Sequence, residues 1–129
     1  MLIPHTLTVL MTNTCTARCA HCCMNSSPER KGSLNAATVI KAINDLHNRS
    51  PLSMIVFAGG EPTLEKRALD ASLRHCVTLG IPTRLVTNAS WARTSAAAQR
   101  TLARLRRAGL NELNISADDY HLPFIPFTN

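Results

Sequence analysis

The chain alternates short β-branched runs with amphipathic segments, and that alternation leaves few folds open to it. "TLTVLM" (6–11) alternates polar and apolar residues and then becomes continuously apolar, the pattern of a strand. "MIVFAGG" (54–60), a β-branched run stopped by glycines, "TRLVTN" (83–88) and "ELNIS" (112–116) supply three more. Between them lie helical patterns. Residues 34–47 put Val39, Ile40, Ile43 and Leu46 on one face, with Ser33 or Asn35 as the N-cap. Residues 64–80 place Leu69, Leu73, Cys76 and Val77 along one stripe and stop at Gly80. A third helix opens at Thr94 or Ser95, turns Ala98, Leu102 and Leu105 inward, and closes at Gly109. The predicted order is βαβαβαβ, an α/β fold with a parallel sheet of about four βα units and helices packed against it.

No repeat, low-complexity tract or linker interrupts this order, so residues 1–129 read as a single domain with a loop or tail over 119–129. That length suffices for a core without disulfide staples. No apolar run approaches the ~20 residues that a membrane span requires, and "MLIPHTLTVLMT" lacks the basic start and cleavage site of a signal peptide. The expected location is the cytoplasm, without membrane partners.

The formal charge of +6 owes much to Arg100, Arg104, Arg106 and Arg107 in "RTLARLRRAG". Such a helix can attract an acidic partner, or it can be a solvated face whose last arginines suit the helix dipole. Aromatic residues make up only 4% of the chain, which leaves no stacking platform and argues against nucleic acid as a partner.

Four of the five cysteines fall within "CTARCAHCC", at Cys15, Cys19, Cys22 and Cys23. In a reducing compartment so tight a group points to metal rather than to disulfides. Cys15, Cys19 and Cys22 have the spacing C-x3-C-x2-C. Three thiolates on one loop can grip three corners of an iron–sulfur cubane and leave the fourth iron without a protein ligand. They can also hold zinc, with His5, His21 or Cys23 recruited as a fourth ligand. On spacing alone both readings stand.

The unusual clusters all sit where a predicted strand ends: the cysteines after the first, "GGEP" after the second, "TN" after the third and "SADD" after the fourth. In parallel α/β architectures the carboxyl ends of the strands open on one side, and sites form there. Four clusters far apart in sequence are therefore expected on one rim.

"CTARCAHC" (15–22), "AGGEPTL" (58–64), "LVTNAS" (85–90) and "LNISADD" (113–119), in this order, resemble the radical S-adenosylmethionine (radical SAM) superfamily. The resemblance implies a partial TIM-like barrel in which Cys15, Cys19 and Cys22 bind a [4Fe-4S] cluster. It places His21 near the adenine of S-adenosylmethionine and the Gly59-Gly60-Glu61 turn at its methionyl amine. Ser116 and Asp118 would contact the ribose or the methionyl carboxylate. Thr87 and Asn88 match a third-strand motif in which Ala89 replaces the usual glycine. The implied reaction is reductive cleavage of S-adenosylmethionine to a 5′-deoxyadenosyl radical that abstracts hydrogen from a peptide, protein or small-molecule substrate. A flavodoxin or ferredoxin would be the electron donor. Cores of this family usually have six βα units and four are legible here, so the expectation is a truncated core or one completed by another chain. A non-catalytic iron–sulfur module for electron transfer or sensing is the alternative, and a zinc-bearing nucleic-acid-binding protein a more distant one.

Other residues carry less. Cys76 reads as a small buried hydrophobe, Trp91 as a packing residue over the rim, and His47 and His75 as surface or boundary residues. Asp119, Tyr120 and His121 are open between a role at the rim and local hydrogen bonding. Cys23 projects away from its neighbour and is not expected to close the cluster.

Overall fold

The structure, a computed structural model, describes residues 3–125. Four parallel strands, β1 (Thr6–Leu10), β2 (Met54–Ala58), β3 (Thr83–Thr87) and β4 (Glu112–Ile115), pair in sequence order. Three helices alternate with them: α1 (Ala36–Arg49), α2 (Lys66–Leu79) and α3 (Ser95–Ala108). A 3-10 turn over Pro62–Leu64 leads into α2. The residues expected to be last in three strands, Gly59, Gly60, Asn88 and Ser116, lie just beyond them in the rim loops.

Register explains how the core forms. Val9 pairs with Phe57, Phe57 with Leu85, and Leu85 with Leu113, so one row of side chains crosses the whole sheet. Side chains alternate along each strand, which puts this row and the Ile55–Thr83 pair on a single face. Val39 and Ile43 of α1, Leu69, Leu73 and Cys76 of α2, and Leu105 and Ala108 of α3 cover that face and are buried. Crossovers of one hand between successive neighbours carry all three helices to the same side. The other face, with Leu10, Val56 and Val86, is partly open.

Caps follow the sequence. Asn35, rather than Ser33, accepts the Thr38 N–H at 2.8 Å, and Thr94 accepts the Ala97 N–H at 3.2 Å. Two expected core residues are exposed. Val77 is 57% exposed and Leu102 is 44% exposed. Val77 lies beside Gly109 at the end of α3 instead of over the sheet. On α3 the inner positions are Leu105 and Ala108, and Leu102 borders the open groove along β4 with Leu110 and Leu113. In a four-stranded sheet the last helix has a neighbour on one side only, and part of its apolar stripe stays uncovered.

Candidate functional site

The rim is stitched by backbone before any side chain contributes. The loop from β1 to α1 carries the cysteines and runs back along the end of β2. Gly60 N–H donates to Thr12 O at 2.7 Å and Glu61 N–H donates to Thr14 O at 2.9 Å. Isolated bridges Thr12–Ser33 and Thr14–Ser27 hold the two arms of the loop together. The glycines are required by this approach. A Cβ on Gly60 would lie 2.1 Å from the Thr14 carbonyl oxygen, and one on Gly59 2.7 Å from that of Thr12. Gly59 also has φ +129°, a conformation that L side chains rarely adopt.

Glu61 is the polar centre of the rim and is fully buried. Its carboxylate accepts from Thr63 N–H at 3.0 Å, Thr63 Oγ1 at 2.5 Å and Asn88 N–H at 2.9 Å. Thr87 Oγ1 donates to it as well, lying 2.8 and 3.0 Å from the two oxygens. The same Thr87 oxygen accepts from Ala89 N–H and from Trp91 Nε1, each at 3.1 Å. Glu61 thus ties the end of β2 to the end of β3. Its carboxylate is turned into the protein, whereas Gly59 and Gly60 face the cavity. Thr63, its nearest partner, was not singled out from the sequence. Acid, proline, threonine at the start of a helical turn is the capping signal that marks it.

One cavity of about 220 Å³ collects the clusters. Cys15, Cys19, Cys22, His21, Gly59, Gly60, Thr87, Asn88 and Ser116 line it; of the expected site residues only Glu61 and Asp118 do not. Ser116 is held by its N–H to Thr87 O at 2.9 Å. Asn88 reaches back 73 residues, with Nδ2 3.5 Å from Cys15 Sγ and 3.0 Å from Thr16 Oγ1. Ser26 N–H donates to Cys22 Sγ at 3.4 Å.

Both Cys15 and Cys19 have their pKa pushed up, first by burial. Next among the causes that raise them come Glu61 and Cys22 for Cys15, and Cys15, Cys22 and Asp118 for Cys19. All three cysteines line the one cavity. A positively charged metal group among them reverses the sign of the interaction. Cys23 is exposed on the same cavity wall.

The turn after β4 folds over the cysteine loop. Asp118 Oδ1 accepts from Tyr120 N–H at 2.9 Å, His121 N–H at 3.1 Å and the His121 ring at 2.7 Å. Those bonds hold its carboxyl below the usual range, with the His121 side chain the largest cause. The second oxygen lies 3.6 Å from His21 Nε2, and the His21 ring rests 4.5 Å from that of Tyr120. His121 lines the cavity, so the rim does gain a residue that the sequence left open. The expected tail therefore begins as an ordered turn, with Ile125 buried; residues 126–129 lie outside the described residues.

The remaining residues have structural partners. Trp91 covers Thr87, His75 bonds to Asn44 Oδ1 at 2.7 Å, and His47 accepts the Leu52 N–H at 3.1 Å. Arg104 pairs with Asp70 of α2 at 2.9 Å, so the basic helix spends one arginine on its neighbour. No helix among the described residues is long and apolar enough to cross a membrane.

Comparison with known proteins agrees with this geometry. The family model described as the radical SAM superfamily matches residues 9–122. YydG of Bacillus subtilis (strain 168), whose name assigns it to peptide biosynthesis, is 24% identical over 120 residues, covering 93% of this chain and 38% of YydG. The crystal structure of Streptococcus suis SuiB bound to S-adenosylmethionine superposes with a TM-score of 0.58 at 20% identity, over 75% of this chain and 22% of SuiB. The chain thus spans well under half the length of either. That superposition shows the fold, four parallel strands alternating with helices as in the core of SuiB.

The superfamily uses a [4Fe-4S] cluster and S-adenosylmethionine. The donor set here fits the cluster: three thiols of the kind that hold iron lining one cavity, two N–H groups directed at sulfurs, and a buried Ser26 hydroxyl without a partner among the described residues. With the match running from β1 through the turn after β4, this chain belongs to the radical SAM superfamily.

Proposed function

We propose that the chain forms the cluster- and cofactor-binding part of a radical SAM enzyme acting on a peptide. The observation that carries this is the convergence of Cys15, Cys19 and Cys22 with Gly59, Gly60, Asn88 and Ser116 around one cavity. The name of YydG supports the peptide as substrate class. When bound, the cluster and S-adenosylmethionine supply reductive cleavage of the sulfonium and a 5′-deoxyadenosyl radical.

Each residue of the chain has a simpler task. Cys15, Cys19 and Cys22 would hold the cluster as thiolates. Asn88 Nδ2 and Ser26 N–H hold the Cys15 and Cys22 sulfurs in place. The Gly59 and Gly60 backbone would accept from the methionyl ammonium, with Glu61 fixing that backbone from behind. His21, backed by Tyr120, presents a ring to the adenine. Ser116 would contact the ribose or the methionyl carboxylate, and Asp118, outside the cavity lining, would hold His121 and His21 beside it. The electron comes from a flavodoxin- or ferredoxin-type donor in the cytoplasm.

Anaerobic reconstitution tests the reading. The expected result is about four irons and four sulfides per chain, an electron paramagnetic resonance signal altered by S-adenosylmethionine, and 5′-deoxyadenosine formed with dithionite. Alanine at Cys15, Cys19 or Cys22 abolishes loading, and Cys23→Ala does not. A cluster indifferent to S-adenosylmethionine would instead identify an electron-transfer or sensor module. Zinc without iron or sulfide would refute both.

A further inference from the structure

Ser26 is 4% exposed, and its hydroxyl is out of contact with water and has no hydrogen-bond partner among the described residues. A buried unsatisfied hydroxyl costs about 1–3 kcal/mol, and native proteins leave few of them without a reason. Cys22 supplies the context. The Ser26 N–H already donates to Cys22 Sγ at 3.4 Å, so the hydroxyl sits three bonds from a nitrogen in contact with that sulfur. Ser26 also lines the cavity shared by Cys15, Cys19 and Cys22. The next residue anchors the first ligand, because Ser27 O accepts the Cys15 N–H at 3.1 Å. This segment is therefore fixed against the cysteine loop at both ends.

From this placement we infer that the Ser26 hydroxyl donates a hydrogen bond to the Cys22 thiolate when that thiolate ligates the cluster, and so raises the cluster's reduction potential. The inference rests on the cluster-binding reading above and assigns Ser26 as a positioning and tuning residue. A donor aimed at sulfur stabilises the state with more negative charge, which is the reduced one, and hydrogen bonds to sulfur are among the terms that set iron–sulfur potentials. Asn88 Nδ2, 3.5 Å from Cys15 Sγ, acts in the same sense from the opposite wall. Ser26 differs in that its hydroxyl has no hydrogen-bond partner among the described residues.

The test is an anaerobic dithionite titration of the reconstituted chain, followed by electron paramagnetic resonance, for wild type, Ser26→Ala and Ser26→Thr. Ser26→Ala is expected to load the same iron and sulfide. At a fixed solution potential its ratio of reduced to oxidised cluster should fall by roughly threefold to tenfold; tenfold corresponds to about 59 mV for one electron. Ser26→Thr keeps the hydroxyl and should restore most of the ratio. The apo proteins give a second readout: Ser26→Ala should be no less stable than wild type in urea, because it removes an unpaired hydroxyl. Equal potentials for wild type and Ser26→Ala at equal loading overturn the inference and leave the cluster reading intact. Wild type that takes up no iron overturns the cluster reading itself, and the inference with it.

Discussion

Replacing Glu61 by glutamine changes one oxygen for an NH2 group with almost no change of shape, and the structure says what this costs. Four donors converge on the carboxylate: Thr63 N–H, Thr63 Oγ1, Thr87 Oγ1 and Asn88 N–H. The two hydroxyls can rotate. The two backbone N–H groups cannot, and they approach different oxygens, Oε1 from Thr63 and Oε2 from Asn88. Whichever way the amide is turned, its NH2 opposes one fixed N–H. That loses a charge-assisted bond worth about 1.5–3 kcal/mol, and the remaining bonds become neutral ones. A total of about 2–4 kcal/mol follows, and at about 4 °C per kcal/mol for a domain of this size the Tm falls by about 8–16 °C. Thermal and urea unfolding of the apo chain measure it without any cofactor. A Tm within about 2 °C of wild type, together with weakened S-adenosylmethionine binding by the loaded protein, would refute the reasoning and show that the carboxylate faces the cofactor.

Gly60→Ala forces a Cβ to within 2.1 Å of the Thr14 carbonyl, which is backbone and cannot swing away. It should cost at least the ~1–3 kcal/mol of an overpacked core and lower iron uptake on reconstitution, because the displaced loop carries Cys15. Cys76 is buried on the inner face of α2, and burial pushes its pKa up to about 11 from 9.0. A raised thiol pKa favours the neutral form in the folded state, so this contribution to stability is complete below pH 9 and is lost as pH rises toward 11. The urea midpoint of Cys76→Ala should therefore fall less steeply than that of wild type across this range; parallel slopes would contradict the assignment.

The strands and helices were legible because each element is short, strongly patterned and bounded by glycine, proline or a capping residue. Asn35 and Thr94 cap as the sequence implies, and the four rim clusters do meet. Two kinds of information were not legible. One is which flank of a helix finds a neighbour: Val77 and Leu102 have the right spacing, but both are exposed. The other is the direction of a side chain in a turn. The glycine-glycine-glutamate motif marks the place, yet only coordinates show the glycines accommodating Thr12 and Thr14 and the glutamate bonding to Thr63, Thr87 and Asn88. His121 was ambiguous for the same reason, since a histidine three residues after an aspartate serves a turn and a cavity equally well.

Pairing of the strands in the order of synthesis has a consequence for assembly on the ribosome. The thiol segment leaves the exit tunnel roughly 40 residues ahead of the Gly59–Glu61 segment that seats it. At about 5–20 residues per second, the nascent sulfurs spend about 2–8 s without that support, open to oxidants and stray metal ions. The Asn88 bond to Cys15 arrives later still. Slowing translation between codons 23 and 61 would lengthen that interval, and the fraction of chains recovered with zinc or with oxidised cysteine should rise with it.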